Sequence, residues 1–302
     1  MILKSRNEPV ELQVLRSLRL RMRLTNKEES YYLQLDKGYE GEKKFDRWIE
    51  PLLADKLLLT DLLLECSNSL FQIDSLLLTS NMIYLFEIKN FEGDFLIEDD
   101  KWYTNTKKEI KNPLLQLKRN ESLFRRSLQE IGCTFPIESY LIFINPNFHL
   151  YQAPTNTSII FPTQLNRFYF KLSQSPSSLK DSHFKLANQV RSLHLSESPF
   201  NRLPVYQYDI LKKGIPCPNC KNKFYKIDTR TTVLCHTCGH KEKVESAVLR
   251  CIKEFKLLFP KEKITTNTIH EWCEVVPSKK SIRNILFKHF TLTRRGKSAY
   301  FI

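Results

Sequence analysis

Apolar residues recur with regular periods in the first part of the chain. Between Lys37 and Leu53 they return every three or four residues, which predicts a helix. Residues 69–79 and 82–91 are rich in Ile, Leu, Phe and Tyr, and only Ser80-Asn81 separates them. Two such segments around a two-residue turn predict a β-hairpin.

The next periodic segments continue this arrangement. Asn112-Pro113 opens a second helix with proline in its first turn. Residues 139–145 read as a buried strand that ends at Asn145-Pro146, and residues 158–172 add a short strand and a helix. The order helix, hairpin, helix, strand predicts an α/β core with a mixed sheet.

The flanking segments are less regular. Arginines and leucines alternate over residues 16–24, a pattern that leaves helix and strand both open. Residues 173–178 resemble a linker and are followed by a helix over about 179–195, and we place the first domain boundary near residue 210. Residues 242–302 predict three helices (244–259, 266–273 and 278–290) and a hairpin over 291–302, the order of a winged helix-turn-helix.

Length and composition bound the class of protein. A chain of 302 residues suits two or three domains. It contains no run of 18 apolar residues, which excludes a predicted membrane span, and its first residues include no apolar signal-peptide segment. We therefore expect a cytoplasmic protein whose eight cysteines are thiols or metal ligands rather than disulfides.

The positive charge is concentrated at the carboxyl-terminal end. Residues 211–302 hold 20 lysines and arginines against 7 aspartates and glutamates, a net charge of +13, out of +14 for the whole chain. A solvated basic surface without a partner is the plain interpretation of such an excess. Its confinement to one segment favours a polyanionic partner, and nucleic acid first.

The predicted hairpin brings acidic residues together. If Ser80-Asn81 forms a two-residue turn, Asp74 lies opposite Glu87, and Gln72 lies opposite Lys89, all four on one face of the sheet. Facing carboxylates repel each other, and a hard divalent cation such as Mg²⁺ or Mn²⁺ removes that repulsion. Lys89 could orient or help deprotonate an attacking water, so the set suits metal-assisted phosphodiester hydrolysis. An ordinary salt bridge between Asp74 and Lys89 is the alternative.

Four cysteines have the spacing of a zinc site. Cys217-Pro-Asn-Cys220 and Cys235-His-Thr-Cys238 are 14 residues apart, with two predicted short strands between them, which predicts a zinc ribbon. Four thiolates would leave no open coordination position, so the expected Zn²⁺ is structural. Reduced thiols or a redox pair are the alternatives, and Cys66, Cys133, Cys251 and Cys273 are expected to be small core residues.

The third helix of the carboxyl-terminal segment carries a basic face. Such a helix could enter a major groove with Arg283 and Asn284 at base edges, while the following turn contacts phosphates. A solvated basic bundle or a protein-interaction domain is the alternative, and DNA is favoured over RNA. The candidate nucleic-acid-binding residues are Lys279, Lys280, Arg283, Asn284, Lys288, Arg294, Arg295 and Lys297.

Short motifs in the first half resemble a known family. Gly38-Tyr-Glu-Gly-Glu42, Phe71-Gln-Ile-Asp74, Phe86-Glu-Ile-Lys-Asn90, Gly93 and Asn112-Pro-Leu-Leu-Gln116 stand in the order and spacing of the nuclease-related domain (NERD). That domain is placed in the PD-(D/E)xK nuclease superfamily, and the resemblance covers roughly residues 36–150.

The resemblance implies roles for individual residues. Asp74 and Glu87 match the metal-binding acids, Lys89 the catalytic lysine, Glu42 the acid on the first helix, and Gln116 a helical glutamine. Several branches have an aromatic residue four positions after that glutamine, where this chain has Asn120, so a plain polar helix residue is an equal interpretation of Gln116. Trp102 is expected to pack in the next strand rather than to stack on a base.

Together these observations predict a restriction-endonuclease-like α/β core with a zinc ribbon and a winged helix. We divide the chain into a basic extension (1–35), the NERD core (36–172), a helical linker (173–210), the zinc ribbon (211–241) and the winged-helix-like module (242–302). The expected function is a Mg²⁺- or Mn²⁺-dependent nuclease, with DNA as the favoured substrate. An inactive nucleic-acid binder, or an assembly protein with a homo-oligomeric partner, is the alternative. A phage-defence partner is an expectation that only the resemblance to the family implies.

Overall fold

The computed structural model describes residues 1–155, 158–174, 178–196, 202–220, 224–293 and 299–302. The chain divides into two compact units. The core unit comprises residues 1–8 and 34–200, and the basic unit comprises residues 9–33 and 201–302.

The helices and strands are as follows. The helices are α1 (Val10–Arg21), α2 (Asn26–Ile49), α3 (Pro113–Glu130), α4 (Leu165–Ser173), α5 (Asp181–Ser192), α6 (Val244–Leu258), α7 (Thr266–Cys273) and α8 (Lys279–His289). The strands are β1 (Ile2–Lys4), β2 (Leu57–Cys66), β3 (Ser69–Leu78), β4 (Ile83–Lys89), β5 (Gly93–Glu98), β6 (Lys101–Thr104), β7 (Glu109–Ile110), β8 (Ile137–Phe143), β9 (Phe148–Tyr151), β10 (Ile159–Ile160), β11 (Lys226–Ile227), β12 (Thr232–Leu234) and β13 (Lys241–Lys243). None of the helices described is long and apolar enough to cross a bilayer.

A six-stranded mixed sheet forms the centre of the core unit, in the order β1-β2-β3-β4-β8-β10. Strands β2, β3 and β4 are antiparallel neighbours, whereas β8 runs parallel to β4 and β10 parallel to β8. A smaller sheet has the order β7-β6-β5-β9. The predicted α/β core with a mixed sheet is confirmed.

The predicted hairpin register is also confirmed near the turn. Leu78 pairs with Ile83, Leu77 with Tyr84 and Ser75 with Phe86, the register of a two-residue Ser80-Asn81 turn. The Thr79 N–H donates to the carbonyl of Met82 at 2.9 Å, and the Met82 N–H donates to the Thr79 hydroxyl at 3.1 Å. This register fixes which face each later residue of β4 occupies.

Helices cover both faces of the large sheet because its strands carry apolar residues on both sides. One apolar cluster joins the sheet to α3 and α5, and a second joins it to α2 and α4. Along β4 the clusters alternate, with Leu85 in the first and Phe86 in the second. Asn112 caps α3, its side-chain oxygen accepting from the Leu114 N–H at 2.9 Å. Trp102 is fully buried and stacks near Phe143, so its predicted packing role is confirmed.

Two flanking segments differ from the predicted domain division. Residues 1–35 do not form one extension, since β1 pairs in parallel with β2 in the core unit and Pro9–Leu33 belong to the basic unit. Residues 16–24, for which helix and strand were both open, lie in and just after α1. Nor is α5 a linker: Leu186, Ala187 and Val190 form an apolar stripe that packs into the core unit.

The basic unit is built on a single apolar core. Buried residues of α1, the cysteine-rich strands and helices α6, α7 and α8 share it. Strands β11, β12 and β13 form an antiparallel three-stranded sheet. Phe301 bridges to Ile264, which precedes α7, and to Leu292, which follows α8, whereas residues 294–298 of the predicted hairpin lie outside the described residues.

Candidate active site and metal centres

The ladder between β3 and β4 opens at Asp74. Its last pair is Ser75 with Phe86. One residue further, the Asp74 side chain replaces the strand bond, its Oδ2 accepting from the Ile88 N–H at 2.8 Å. The Asp74 carboxylate is therefore held in a buried gap between two strands.

Gln72 does not join this gap. It is exposed, and its amide donates to Asp61 Oδ1 at 2.9 Å. The predicted pairing of Gln72 with Lys89 is absent from the register of β3 and β4, because the ladder has already ended. Asp61 has a φ of +53°, a backbone conformation that interrupts strand β2 at this residue.

Glu87 and Lys89 occupy the β4 side of the gap. Glu87 is 1% exposed, and Lys89 Nζ lies 2.7 Å from its Oε1. Lys89 also donates to Gln116 Oε1 at 3.2 Å, so Gln116 of α3 reaches the lysine rather than a carboxylate. The alternative salt bridge of Lys89 with Asp74 is not the pair that forms, since Glu87 is the direct partner.

Asn120 contacts the same acid from α3. Its Nδ2 donates to the Gln72 carbonyl at 2.8 Å and lies 3.4 Å from Glu87 Oε2. The asparagine that departs from the family pattern is thus buried and faces Glu87. Helical spacing could have found it, because positions 116 and 120 share a helix face.

Arg6 reaches the opposite side of Asp74 and was not among the predicted site residues. Only 3% of its side chain is exposed. Its guanidinium donates to Glu42 Oε2 at 2.6 Å, to Asp46 Oδ2 at 2.8 Å and to the Asp74 carbonyl at 2.7 Å. No local pattern marks this residue, because only the pairing of β1 with β2 brings it to the site.

The acids of the site resist ionisation. Burial raises the pKa of Glu87 to about 8, and the charge of Asp74 adds to the effect against the opposing influence of Lys89. Burial likewise raises the pKa of Glu42 to about 8, with Asp74 adding and Arg6 opposing. The pKa of Asp74 is also raised by burial, against the charge of Lys89 and the Ile88 hydrogen bond. Among the described residues, Lys89 pairs with Glu87, and Arg6 pairs with both Glu42 and Asp46, so these acids outnumber the two cations that hold them.

This donor set suits a hard divalent cation. Carboxylate oxygens are the ligands that Mg²⁺ and Mn²⁺ take, and a cation would favour the ionised form of Asp74 and Glu87. Glu42 is placed differently, because Arg6 already neutralises it. Asp74 and Glu87 could hold an ion, with Lys89 beside it.

The four predicted zinc cysteines form a compact cluster. Their sulfur atoms all lie within 4.8 Å of one another. The Sγ distances are 3.7 Å for Cys217 to Cys238 and 3.6 Å for Cys220 to Cys235. Ligand sulfurs at about 2.3 Å from a tetrahedral zinc are separated by roughly 3.8 Å, so the cluster is compatible with one Zn²⁺. In the part of the chain that the structure describes, no other group of three or more Cys, His, Asp or Glu is placed closely enough to share an ion.

Hydrogen bonds lower the pKa of Cys238 and, against the effect of burial, that of Cys235. A hydrogen bond from the backbone N–H of His240 is the main cause that lowers the pKa of Cys238 to about 6, whereas burial raises the pKa of Cys217 to about 11. The Tyr225 hydroxyl lies 2.6 Å from His240 Nδ1, so that ring nitrogen has the tyrosine as its partner. Cys66, Cys251 and Cys273 are buried core residues, as expected, and Cys133 is half-buried.

The predicted basic face of α8 is largely present. Lys279, Lys280, Arg283 and Asn284 are exposed and line one groove. Lys288 instead lies in an ion pair with Glu245, with 2.8 Å between Nζ and Oε1. Arg294, Arg295 and Lys297 lie outside the described residues.

Comparison with known proteins supports the resemblance of the core unit to a nuclease-related domain. Residues 37–144 match the family model of the nuclease-related domain, which spans the hairpin, Glu42 and Gln116. No curated protein matches the sequence. Among solved structures, the chain is similar to protein VC1899 from Vibrio cholerae, at 9% identity and a TM-score of 0.24, over 52% of this chain and 39% of that one. Residues 37–144 of the core unit are therefore similar to a nuclease-related domain by the family model.

Proposed function

We propose that the protein is a divalent-metal-dependent nuclease that hydrolyses phosphodiester bonds, with DNA as the favoured substrate. The observation that carries the proposal is the buried gap in which Asp74 and Glu87 lie beside Lys89. Burying two acids together is costly without a cation, and Lys89 alone leaves an excess of negative charge. A bound Mg²⁺ or Mn²⁺ would remove that excess and activate a water or polarise the phosphate.

The surrounding residues have distinct roles in this proposal. Lys89, 20% exposed, is the side chain that meets the attacking water or the phosphate. Gln116 and Asn120 orient Lys89 and Glu87 from α3. Glu42 and Arg6 support Asp74 from α2 and the β1 segment, and Arg6 acts through the Asp74 main chain.

The basic unit would hold the nucleic acid. Its exposed α8 residues Lys280 and Arg283 suit contacts with phosphates, and the zinc cluster suits a structural role because four cysteines leave no open position. Binding through several phosphates should weaken steeply as salt rises.

Nicking of supercoiled plasmid tests the proposal. The wild-type protein should nick plasmid with Mg²⁺ or Mn²⁺, and Glu87→Gln or Lys89→Met should lower the rate by at least 100-fold, the range seen when a charge-stabilising group is removed. Glu65→Gln, an exposed acid on β2, is the matched control and should keep full activity. Intact plasmid with both ions and wild-type protein would reject catalysis.

A non-catalytic nucleic-acid-binding protein is the second candidate. The arrangement of Glu42 favours it, because an arginine rather than a free coordination position faces that acid. Substitutions in the two units distinguish the two candidate functions. If Lys89→Met preserves the biological function while Lys280→Ala with Arg283→Ala abolishes it, binding is the function.

A further inference from the structure

A groove beside α8 combines a basic rim with an apolar floor. Lys279, Lys280 and Arg283 stand along one side. The remaining lining is mainly apolar and comprises Phe287, Leu292, Ala299 and Phe301, together with the polar residues Thr266 and Asn284. A ligand that fits both sides must carry negative charge along one edge and flat apolar surface along the other.

Phe287 is the unusual residue of this groove. This aromatic residue lies on the same helix face as the lysines, four residues after Arg283, and is 49% exposed. Its ring and that of the buried Phe301 form a T-shaped pair with 5.3 Å between centroids, and about half of the Phe287 side chain remains exposed. The Arg283 guanidinium lies 5.3 Å from the same ring.

The ring is not needed to fill the core of the basic unit. The buried side of α8 is formed by Ile282, Ile285 and Leu286, which are in the shared apolar cluster, whereas Phe287 is not. An aromatic face kept in water next to cations is the arrangement on which unpaired bases stack, with their backbone on the cationic side.

Duplex DNA does not match this groove as well. In a duplex the base faces are covered by neighbouring pairs, and the outer surface presents charged phosphates and groove edges. Charged phosphates against Phe287, Leu292 and Phe301 would be poorly solvated. We therefore propose that the α8 groove binds single-stranded nucleic acid, with a base stacked on Phe287 and phosphates on Lys280 and Arg283. This rests on the proposed nucleic-acid function and specifies which form of nucleic acid the α8 groove holds.

Fluorescence anisotropy with a labelled 12-nucleotide oligo(dT) and a 12-base-pair duplex tests the inference. The binding is measured with zinc-loaded protein and no added Mg²⁺ or Mn²⁺, so catalysis cannot affect it. Phe287→Ala should weaken oligo(dT) binding by about tenfold to a hundredfold, the range that one base–aromatic stack supplies. Phe287→Trp should retain it, and duplex binding should change less than threefold in either variant.

Two controls separate this outcome from general damage. Phe170→Ala removes a 65% exposed phenylalanine from α4 of the core unit and should leave oligo(dT) binding unchanged. Lys256→Ala removes an exposed charge from α6 and should lower affinity for both ligands equally and slightly. Circular dichroism and melting temperature verify that each variant is folded.

Two results would overturn the inference. One is a folded Phe287→Ala variant that binds oligo(dT) as tightly as wild type. The other is an equal loss of single-strand and duplex affinity, which would assign the ring to shaping the domain. Failure of plasmid nicking leaves these binding results interpretable, so the two proposals fail separately.

Discussion

At the residue scale, the candidate site depends on a few buried charges that hold one another in place. Asp74 is fixed by a strand N–H, Glu87 by Lys89 and Asn120, and Glu42 by Arg6. The sequence could predict Asp74, Glu87 and Lys89 because a two-residue turn sets their register. It could not predict Arg6, which is distant in the chain and carries no periodic signal.

Arg6→Met should destabilise the protein by roughly 3–5 kcal/mol, because it leaves Glu42 and Asp46 without their buried partner. Urea unfolding measures this loss. Arg47→Met removes an exposed arginine from α2, the helix that carries Glu42 and Asp46. It should change stability by less than about 0.5 kcal/mol. Equal effects of the two substitutions would contradict the role assigned to Arg6.

Gly41→Ala should also destabilise the core unit. A Cβ at Gly41 would lie 2.4 Å from the Asn90 Cβ, so α2 or the end of β4 must shift, at a cost of about 1–3 kcal/mol. Gly38→Ala, three residues earlier in the same helix, meets nothing within 4 Å and should stabilise by about 0.5–1 kcal/mol. Thermal melts of the two variants should therefore move in opposite directions.

The pH dependence of metal-free stability follows from the raised pKa of Glu87. A carboxyl whose folded pKa is about 8, above its usual 4.5, stabilises the fold below about 4.5 and loses that contribution as pH rises through about 8. The urea midpoint of metal-free protein should fall from pH 5 to pH 8, and Glu87→Gln should flatten that fall. A midpoint that rises over this range in wild type alone would contradict the buried-acid account.

At the scale of elements, the hairpin, α3, β8 and the three carboxyl-terminal helices could be predicted because each has a strong period or a marked end. Strand β2 could not, since both of its faces are buried and a continuous apolar run has no period. Helix α5 carries an apolar stripe but follows a linker-like segment, which misplaced it outside the core unit. Local pattern thus identifies an element more readily than its partners.

The segment that holds the four-cysteine cluster is the element whose stability should depend on an ion. Its residues Cys217, Tyr225 and Val233 share the apolar core of the basic unit, so loss of zinc should loosen that core. Elemental analysis should find one zinc per chain in wild type and less than half of that in Cys238→Ser. Cys133→Ser, at a half-buried cysteine outside the cluster, should retain zinc. Equal zinc content in both variants would exclude the cluster as the binding site.

At the scale of the whole molecule, the distribution of charge along the chain is more informative than its overall composition. The net charge of +13 in residues 211–302 belongs to the basic unit, and the acids that resist ionisation belong to the core unit. The sequence could not predict which unit each part of the amino-terminal segment joins, because tertiary pairing decides it. Residues 1–8 contribute β1 and Arg6 to the core unit, whereas residues 9–33 join the basic unit, a division without a compositional boundary.

Titration of Mn²⁺ into zinc-loaded protein, followed by the electron paramagnetic resonance signal of free Mn²⁺, tests the central claim most directly. Wild type and Glu65→Gln should both remove Mn²⁺ from solution at a site that Asp74→Asn and Glu87→Gln each lose, with at least tenfold weaker binding in these two variants. Equal Mn²⁺ binding by all four proteins, or none by wild type, would contradict a metal site between β3 and β4.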